Sequence, residues 1–477
     1  MLFNSIEYAL FLPIVFLLHW KLPHKYRWVM LLFASYYFYM SWNAKYVFLI
    51  FFTTFVSYIA GLMIEKYPLY KKAVLSFTLI SCLGILFVFK YFNFFFEIIN
   101  TILKAFTLPV SEFTLKLLLP VGISFYTFQT LSYVIDVYRG NLKAEKHFGY
   151  YATFVSFFPQ LVAGPIERPA NLLPQLKRER HFDYNCATNG MKLMAWGFFK
   201  KMVVADNLAV LVDRVFNGLT YYEGFAFVLA AFFFSIEIYC DFSGYSDIAK
   251  GSAALLNIEL MDNFKSPYFS TTIKEFWSRW HISLSSWFKD YVYIPLGGNR
   301  VSKIRHYLNI LITFMVSGLW HGANITFVIW GAINGLLQII EDIFHIKKET
   351  NVYSLKWFSR VSLTFIVMMF VWVFFRAQNI SDAIYVLTHM FHGINHPYNY
   401  IVSGLYSFDM TIRELFFYLA LYLIPLFTVD LISVKYDLIY IINKKPAIIR
   451  YAIYYILAMA VFMFHYVGEV NFIYFQF

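Results

Sequence analysis

The stretch that decides the fold is His306–Ile340, HYLNILITFMVSGLWHGANITFVIWGAINGLLQII, which contains no Asp, Glu, Lys or Arg. One helix of this length would extend about 50 Å at a rise of 1.5 Å per residue. A membrane crossing needs only about 20 residues. The run must therefore break, and Gly318 and Gly322, which flank Trp320 and His321, predict where. This part of the chain is then membrane sequence with a histidine near its middle.

The composition of the whole chain agrees with a membrane location. Hydrophobic residues make up 60% of the 477 residues and charged residues only 14%, whereas a soluble chain carries about 25% charged residues. Apolar runs of bilayer-spanning length recur along the sequence. We predict an all-α polytopic membrane protein with roughly 11–13 transmembrane and re-entrant segments. Examples of the runs are Tyr46–Ile64, Ala73–Phe89, Phe225–Tyr239, Val361–Phe375 and Tyr451–Phe464.

The basic residues predict the orientation in the membrane. Cytoplasmic loops carry an excess of Lys and Arg, so a multi-pass protein of the cell membrane with both termini outside is expected. The net charge of +11 is spread along the chain, and nucleic-acid binding is not expected because it needs a concentrated basic domain. Three groups of basic residues predict this orientation. Lys21, Lys25 and Arg27 follow the first apolar run, Lys66, Lys71 and Lys72 follow the third, and Lys444, Lys445 and Arg450 precede the last.

The distribution of polar residues predicts one integral-membrane domain with three zones. Residues 1–114 are spans with short turns, residues 115–345 hold most of the embedded charges, Gly and Pro, and residues 346–477 return to plain spans. Polar and helix-breaking residues in membrane sequence are costly unless they line a cavity or a protein interior. The middle zone is therefore the predicted catalytic core. Two stretches in it look non-spanning or re-entrant: Phe154–Ile166 is too short and too broken to cross as one helix, and Ser266–His306 is the most polar sequence of the zone.

His321 has two interpretations at this stage. Imidazole titrates near neutral pH, so a histidine facing a cavity at a helix break can act as a general base. Alternatively, His321 is a core histidine bonded to a neighbouring helix, and Gly318 with Gly322 forms a helix-packing face. The sequence position alone favours neither.

Thr272–Tyr291, TIKEFWSRWHISLSSWFKDY, predicts a strongly amphipathic helix. Its three tryptophans and basic residues suit a helix in the headgroup plane. Either Arg279, His281 and Lys289 line the entrance for an anionic, phosphate-bearing substrate, or the helix is only an interfacial anchor. The predicted apolar stripe is Ile273, Trp277, Trp280, Leu284, Trp287 and Tyr291; the polar face is Lys274, Ser278, His281, Ser285 and Lys289, with Glu275 and Arg279 as an i,i+4 pair.

Tyr239–Asp247, YCDFSGYSD, places two carboxylates beside a long apolar run. Intramembrane acids are functional candidates by default, and one of the two, Asp241 or Asp247, could orient a histidine or pair with Arg279. Alternatively, the segment is a helix end that Asp241 caps and Gly244 turns. Two further stretches, FPQLVAGPIER and IPLGGNR, predict turns, at residues 158–168 and 294–300. The cationic neighbours of IPLGGNR could equally hold a phosphate.

Several kinds of chemistry have no motif here. Cys82, Cys186 and Cys240 are scattered, so no metal or disulfide site is expected. The chain has no G-x-S-x-G, P-loop, dinucleotide fingerprint or H-E-x-x-H motif. A histidine without a Ser or Cys nucleophile nearby suggests direct transfer, in which a deprotonated hydroxyl attacks a thioester. No bound cofactor is expected.

At this point the sequence resembles the membrane-bound O-acyltransferase (MBOAT) family, in its alginate O-acetylation branch. The motifs that carry the resemblance are MLFNS at the N-terminus, PVGISFY (Pro120–Tyr126), the stretches 158–168 and 239–247, FWSRWHISLSSWFKDYVYIPLGGNR (Phe276–Arg300) and SGLWHGAN (Ser317–Asn324).

The resemblance implies a role for both histidines. The characteristic catalytic histidine of the family maps onto His321 and its second polar position onto His281. The family fold is a ring of tilted helices around a central funnel. The implied reaction moves an acetyl group from a cytoplasmic donor, acetyl-CoA, toward a polysaccharide outside, often with an SGNH-type acetyltransferase partner and the polysaccharide synthesis machinery.

Donor or substrate binding is predicted at seven further residues: Arg279, Lys289, Asp290, Tyr291, Arg300, Asp241 and Tyr245. Two alternative functions remain open. One is the related D-alanyl transfer to teichoic acid from a carrier protein, although IPLGGNR and the chain length favour the acetyl branch. The other is a transporter of polysaccharide precursors, although transporters often carry repeats in both halves and polar complexity here is confined to one central zone.

Overall fold

The computed structural model describes residues 1–110, 113–162, 164–468, 470 and 472–473. These residues form helices joined by turns, and none of them lies in a strand, so the all-α prediction is confirmed. The chain folds into two compact units, residues 1–191 with 248–261 and residues 192–247 with 262–477. The single domain with three zones remains a prediction.

The first unit is built mainly from ten helices within its described residues. Polar side chains begin several of them; Ser5, for example, accepts a hydrogen bond from the amide of Tyr8 at the start of the first helix. The helices are α1 Ile6–Lys21, α2 His24–Met40, α3 Val47–Lys66, α4 Lys71–Leu86, α5 Phe92–Ala105, α6 Ile123–Arg139, α7 Phe148–Ser156, α8 Phe158–Leu161, α9 Pro169–Lys177 and α10 Tyr184–Phe198, the last of which continues into the second unit.

The second unit holds the remaining helices. They are α11 Asp206–Phe216, α12 Phe225–Leu255, whose last turns belong to the first unit, α13 Ile273–Arg279, α14 Ile282–Phe288, α15 Lys303–His321, α16 Ile325–Ile343, α17 Leu355–Arg376, α18 Ile380–His389, α19 Pro397–Tyr406, α20 Ile412–Tyr418, α21 Ile424–Ser433, α22 Leu438–Asn443 and α23 Ala447–Phe464. Short π-helical turns extend some of these, at Phe87–Tyr91, Phe199–Ala205, Lys289–Tyr293 and Leu419–Leu423.

Seven helical segments among the described residues are long and apolar enough to cross a membrane. All five apolar runs quoted from the sequence fall within these segments, so the chain is a polytopic membrane protein. The segments are Ala44–Lys66, Pro68–Ala105, Phe225–Leu255, Ile325–Ile343, Leu355–Arg376, Ile412–Ser433 and Ala447–Phe464.

The long uncharged run breaks where its glycines predict. Helix α15 ends at His321, and Gly322 is in an extended conformation with φ −158°. The side chain of Asn324 then caps α16 by accepting from the amide of Thr326 at 3.0 Å. A Cβ atom on Gly318 would overlap the carbonyl oxygen of Phe327. Gly318 is therefore also a packing contact between α15 and α16. Both the helix break and the helix-packing face that the sequence predicted at these glycines are correct.

The single amphipathic helix predicted over Thr272–Tyr291 is wrong. The chain breaks between α13 and α14, and His281 has a φ of +43°. The cause is a neighbouring strand-like segment: the carbonyl of Asn263 accepts from the amide of Ile282, and the carbonyl of Arg279 accepts from the amide of Lys265, both at 3.0 Å. A continuous helix would need these same backbone groups.

The apolar stripe of that segment is buried in protein. Trp277, Trp280, Leu284 and Trp287 are each at most 7% exposed, and the ring of Trp277 lies 5.5 Å from that of Trp330. The stripe therefore packs against neighbouring helices, which is a different role from that of an interfacial anchor.

Of the other predicted helix ends and turns, the structure contradicts one and confirms another. Helix α12 continues through Asp241 and Gly244 to Leu255, so the helix-end interpretation is wrong. Gly297 and Gly298 have φ of +108° and +56°, which confirms the turn in IPLGGNR. The FPQLVAGPIER stretch bends after α8; its Ala163 lies outside the described residues.

Candidate active site

His321 lies in an aromatic environment at the end of α15. Its side chain is 3% exposed. The ring of Trp330 from α16 lies 5.2 Å from the imidazole and that of Phe375 from α17 lies 5.3 Å away, both edge-on. His321 is therefore buried where α15, α16 and α17 meet.

His281 lies beside His321. The centroids of the two imidazole rings are 6.5 Å apart, and His281 is 0% exposed. The sequence predicted His281 on the polar face of a helix with Lys274 and Lys289, but the break and the positive φ turn its side chain into the protein. The two histidines singled out from separate motifs therefore form one site.

The protonation of His281 differs from that of an ordinary histidine. His281 lies outside the seven candidate membrane spans, and burial lowers its pKa to about 3. It is thus neutral at physiological pH and too weakly basic to hold a proton there. The ring of Phe242 from α12 packs on it at 4.5 Å. These properties fit a residue that orients its neighbours by hydrogen bonding.

Two asparagines fix the backbone around the histidine pair. The side-chain oxygen of Asn263 accepts from the Ser283 hydroxyl at 2.6 Å, and its amide donates to Ser246 at 3.1 Å. The side-chain oxygen of Asn334 accepts from the indole of Trp277 at 3.1 Å, and its amide donates to the carbonyl of Trp330 at 2.8 Å. These bonds tie α12, α13, α14 and α16 together around the site.

Sequence reasoning missed these supporting residues. Asn334 could have been noticed as a buried amide within an uncharged apolar run, where an amide needs a partner. Trp330 and Phe375 gave no signal, because aromatic residues are common throughout this chain.

Asp241 is paired differently from the expectation. The ammonium of Lys201 lies 2.6 Å from its carboxylate, and the amide of Ile473 donates to it at 2.7 Å. Arg279 pairs with Glu275 at 2.8 Å, as its i,i+4 spacing predicts. The expected pair of Arg279 with Asp241 or Asp247 is therefore wrong. Both carboxylates pair with buried lysines, Asp241 with Lys201 and Asp247 with Lys200 at 2.6 Å.

The other predicted binding residues are spread over two kinds of environment. Tyr245 is fully buried, with its ring 4.5 Å from that of Phe472. Lys289 and Arg300 are exposed, and Asp290 and Tyr291 are half-buried on the turn that follows α14. The binding roles of all these residues remain predictions.

Comparison with known proteins defines the family of this helical membrane protein. The sequence pattern of the membrane-bound O-acyltransferase (MBOAT) family matches residues 145–380, a range that contains both histidines. The "Probable alginate O-acetylase AlgI" of Pseudomonas aeruginosa is 40% identical over 388 residues, which cover 80% of this chain and 73% of that protein.

Two further relatives act on other polymers. The "Peptidoglycan O-acetyltransferase" of Helicobacter pylori is 36% identical, over 76% of this chain and 73% of its own. The "Teichoic acid D-alanyltransferase" of Streptococcus thermophilus is 31% identical, over 51% of this chain and 61% of its own. These matches define the class of the protein as a membrane-embedded transferase. The chain belongs to the membrane-bound O-acyltransferase family and is an O-acyltransferase.

Proposed function

We propose that this O-acyltransferase moves an acetyl group from acetyl-CoA toward hydroxyl groups of an exported or cell-envelope polysaccharide. The observation that carries the proposal is the buried pair of His321 and His281, with ring centroids 6.5 Å apart. The names of the alginate and peptidoglycan O-acetylating relatives support a polysaccharide acceptor.

In this mechanism His321 is the general base. Its imidazole takes the proton of the acceptor hydroxyl while the hydroxyl oxygen attacks the thioester carbonyl. The carbon–sulfur bond breaks, an oxygen ester forms, and the leaving thiolate receives the proton. His281 positions the reacting groups through hydrogen bonding, since burial keeps it neutral.

The proposal also assigns sides of the membrane. The enzyme works in the inner or plasma membrane with both termini outside, and the basic residues Arg279, Lys289 and Arg300 hold the phosphates of the donor at the cytoplasmic face. A hydroxyl-bearing acceptor, either the polysaccharide or an SGNH-type partner transferase that acts with the polysaccharide synthesis machinery, receives the acetyl group outside. The positive-inside pattern of the loops supports this orientation.

Replacing His321 tests the catalytic proposal. His321→Ala in purified, lipid-reconstituted protein is expected to lower acetyl transfer about 10²–10⁴-fold, because general-base catalysis contributes that much. The matched control is His19→Ala, which removes another buried histidine, 4% exposed, from α1. A folded His321→Ala protein that transfers acetyl at the wild-type rate would refute the role of His321.

The second candidate function is D-alanyl transfer, which the Streptococcus thermophilus relative favours. Supplying the purified protein with labelled acetyl-CoA or with a D-alanyl carrier protein separates the two candidates. Labelled acetyl ester as the only product supports the acetyl branch, and incorporation of D-alanine contradicts it.

A further inference from the structure

Four basic side chains from two separate parts of the sequence meet at the start of α23, in the second unit. Lys444 and Lys445 precede this helix, Arg450 lies in its first turn, and Lys192 comes from α10. The ammonium of Lys192 donates a hydrogen bond to the side-chain oxygen of Asn443, the last residue of α22. These four side chains are called the basic site below.

Tyr454 connects the two parts of the basic site. The ammonium of Lys192 lies over its ring, 5.8 Å from the ring centroid. Arg450 precedes Tyr454 by four residues on α23, so both side chains lie on one face of that helix. Lys192 and Arg450 therefore bring two positive charges to the same side of α23.

The charges of the basic site have the same sign. Lys192 lies outside the seven candidate spans, and burial lowers its pKa; the positive charge of Arg450 lowers it further. Among the described residues, none of Lys444, Lys445 and Arg450 forms an ion pair with a carboxylate. Like charges held together disfavour each other's charged form, so the site favours a bound anion.

The basic site also has more hydrogen-bond donors than acceptors. The Nε of Arg450 and the hydroxyl of Tyr454 are shielded from water, and neither atom has a hydrogen-bond partner in the part of the chain that the structure describes. Arg and Lys are the side chains that bind phosphate, since its oxygens accept several hydrogen bonds and carry negative charge. A phosphate group is therefore the fitting ligand.

The surroundings of the basic site favour the phosphate of a lipid over a soluble phosphate. Helix α23 is a candidate span, and no residue of it is buried in the protein. Ile448 and Tyr451, on either side of Arg450, are 84% and 67% exposed. Tyrosines are enriched where a membrane meets water, and four or more Lys and Arg at the end of a span bind anionic headgroups.

We propose that the basic site binds the headgroup phosphate of an anionic phospholipid, whose acyl chains lie along the exposed apolar surface of α23. Lys192 and Arg450 contact the phosphate oxygens, and Lys444 and Lys445 add positive charge at the edge of the site. The bound lipid links α10, α22 and α23 and stabilises the second unit. This inference goes beyond acyl transfer and depends on neither the donor nor the acceptor.

Thermal unfolding of the purified protein in detergent tests the binding. The probes are dioleoylphosphatidylglycerol, which is anionic, and dioleoylphosphatidylcholine, which has no net charge. The anionic lipid is expected to raise the melting temperature, because a ligand that binds only the folded state stabilises it, and the neutral lipid should raise it much less. Equal shifts with the two lipids overturn the inference, because the site then does not recognise negative charge.

The variant that carries both Lys192→Gln and Arg450→Gln tests the residues. It is expected to need about tenfold more phosphatidylglycerol for the same shift, since each Lys or Arg near an anionic surface contributes several-fold to affinity. The matched control carries Lys347→Gln and Lys348→Gln, which remove two exposed lysines elsewhere in the second unit, and it should respond as the wild type does. Identical responses of the two variants contradict the inference.

A second variant decides the question if the first one does not fold. Lys444→Gln with Lys445→Gln changes only exposed side chains, so the protein is expected to fold and to need several-fold more phosphatidylglycerol. An unchanged requirement for the lipid in this variant refutes the basic site.

The last comparison distinguishes a lipid phosphate from a soluble one. Acetyl-CoA and inorganic phosphate are added separately to the wild type and to the folded variant of the basic site. A variant that loses the response to phosphatidylglycerol but keeps any response to the soluble phosphates supports the inference. If it loses a response to acetyl-CoA or to inorganic phosphate, the site binds a soluble phosphate and the inference is overturned. None of these measurements requires acetyl transfer, so the proposed function can fail without affecting them.

Discussion

The second unit buries two polar regions that differ in how the protein accommodates them. The histidine pair is surrounded by aromatic rings, with Trp330 and Phe375 against His321 and Phe242 against His281. The other region, the Lys201 cluster, consists of Lys201 with Asp241 of α12 and Asp206 of α11, joined by close ion pairs. One region holds the proposed general base, and the other holds paired charges.

The two regions are expected to serve different purposes: the histidines serve the reaction, and the ion pairs serve the stability of the fold. The general base proposed at His321 must gain and lose a proton in each cycle. A structural charge must never change, so it is surrounded by opposite charges. We therefore expect substitutions in the two regions to have opposite signatures: lost stability in the charged cluster and lost activity with little loss of stability at the histidines.

The largest expected effect is that of Lys201→Met. It leaves Asp241 and Asp206 buried without their shared cation, and removing one partner of a buried ion pair costs about 3–5 kcal/mol. Thermal unfolding in detergent or lipid measures the loss. Lys289→Met, which removes a lysine from the exposed surface, is the matched control, and equal melting temperatures for the two variants would show that the cluster does not stabilise the fold.

The next effect, on activity, is expected from His281→Asn. Asparagine tolerates the left-handed backbone at this position better than most residues, so the fold should remain intact. Loss of the positioning imidazole is expected to lower kcat about 100-fold. The measurement is steady-state transfer by the reconstituted protein at saturating donor.

The pH profile distinguishes positioning from base catalysis by His281. Because burial lowers the pKa of His281 to about 3, it is neutral above roughly pH 4 in the folded protein. The pH dependence of kcat between pH 6 and 9 should therefore keep its shape in His281→Asn. Disappearance of the acidic limb in that variant would make His281 the base and would contradict the assignment to His321.

Part of the fold and of the candidate site can be predicted from the sequence. Apolar runs, the break of the long uncharged stretch and the family motif around His321 are local features, and the structure places each as expected. The inward position of His281 was not predictable, because it depends on the backbone hydrogen bonds that Ile282 and Arg279 make with Asn263 and Lys265. The charged cluster was missed for the same reason: Lys201 and Asp241 are 40 positions apart in the sequence, and only folding brings them together.

The smallest effect is expected at the surface, from Arg279→Gln. Its pair with Glu275 is a partly exposed i,i+4 interaction at 2.8 Å, which contributes less than about 1 kcal/mol to stability. If Arg279 also holds donor phosphates, KM for acetyl-CoA should rise by a factor of about two to five at low salt and by less at 0.5 M salt, since salt screens exposed charges. Lys356→Gln, which breaks the partly exposed pair of Lys356 with Glu349, controls for the loss of one surface cation. The KM for acetyl-CoA is also measured in a triple variant that carries Arg279→Gln, Lys289→Gln and Arg300→Gln. If KM is unchanged in both variants, these three residues do not bind the donor, and the donor binds elsewhere in the chain.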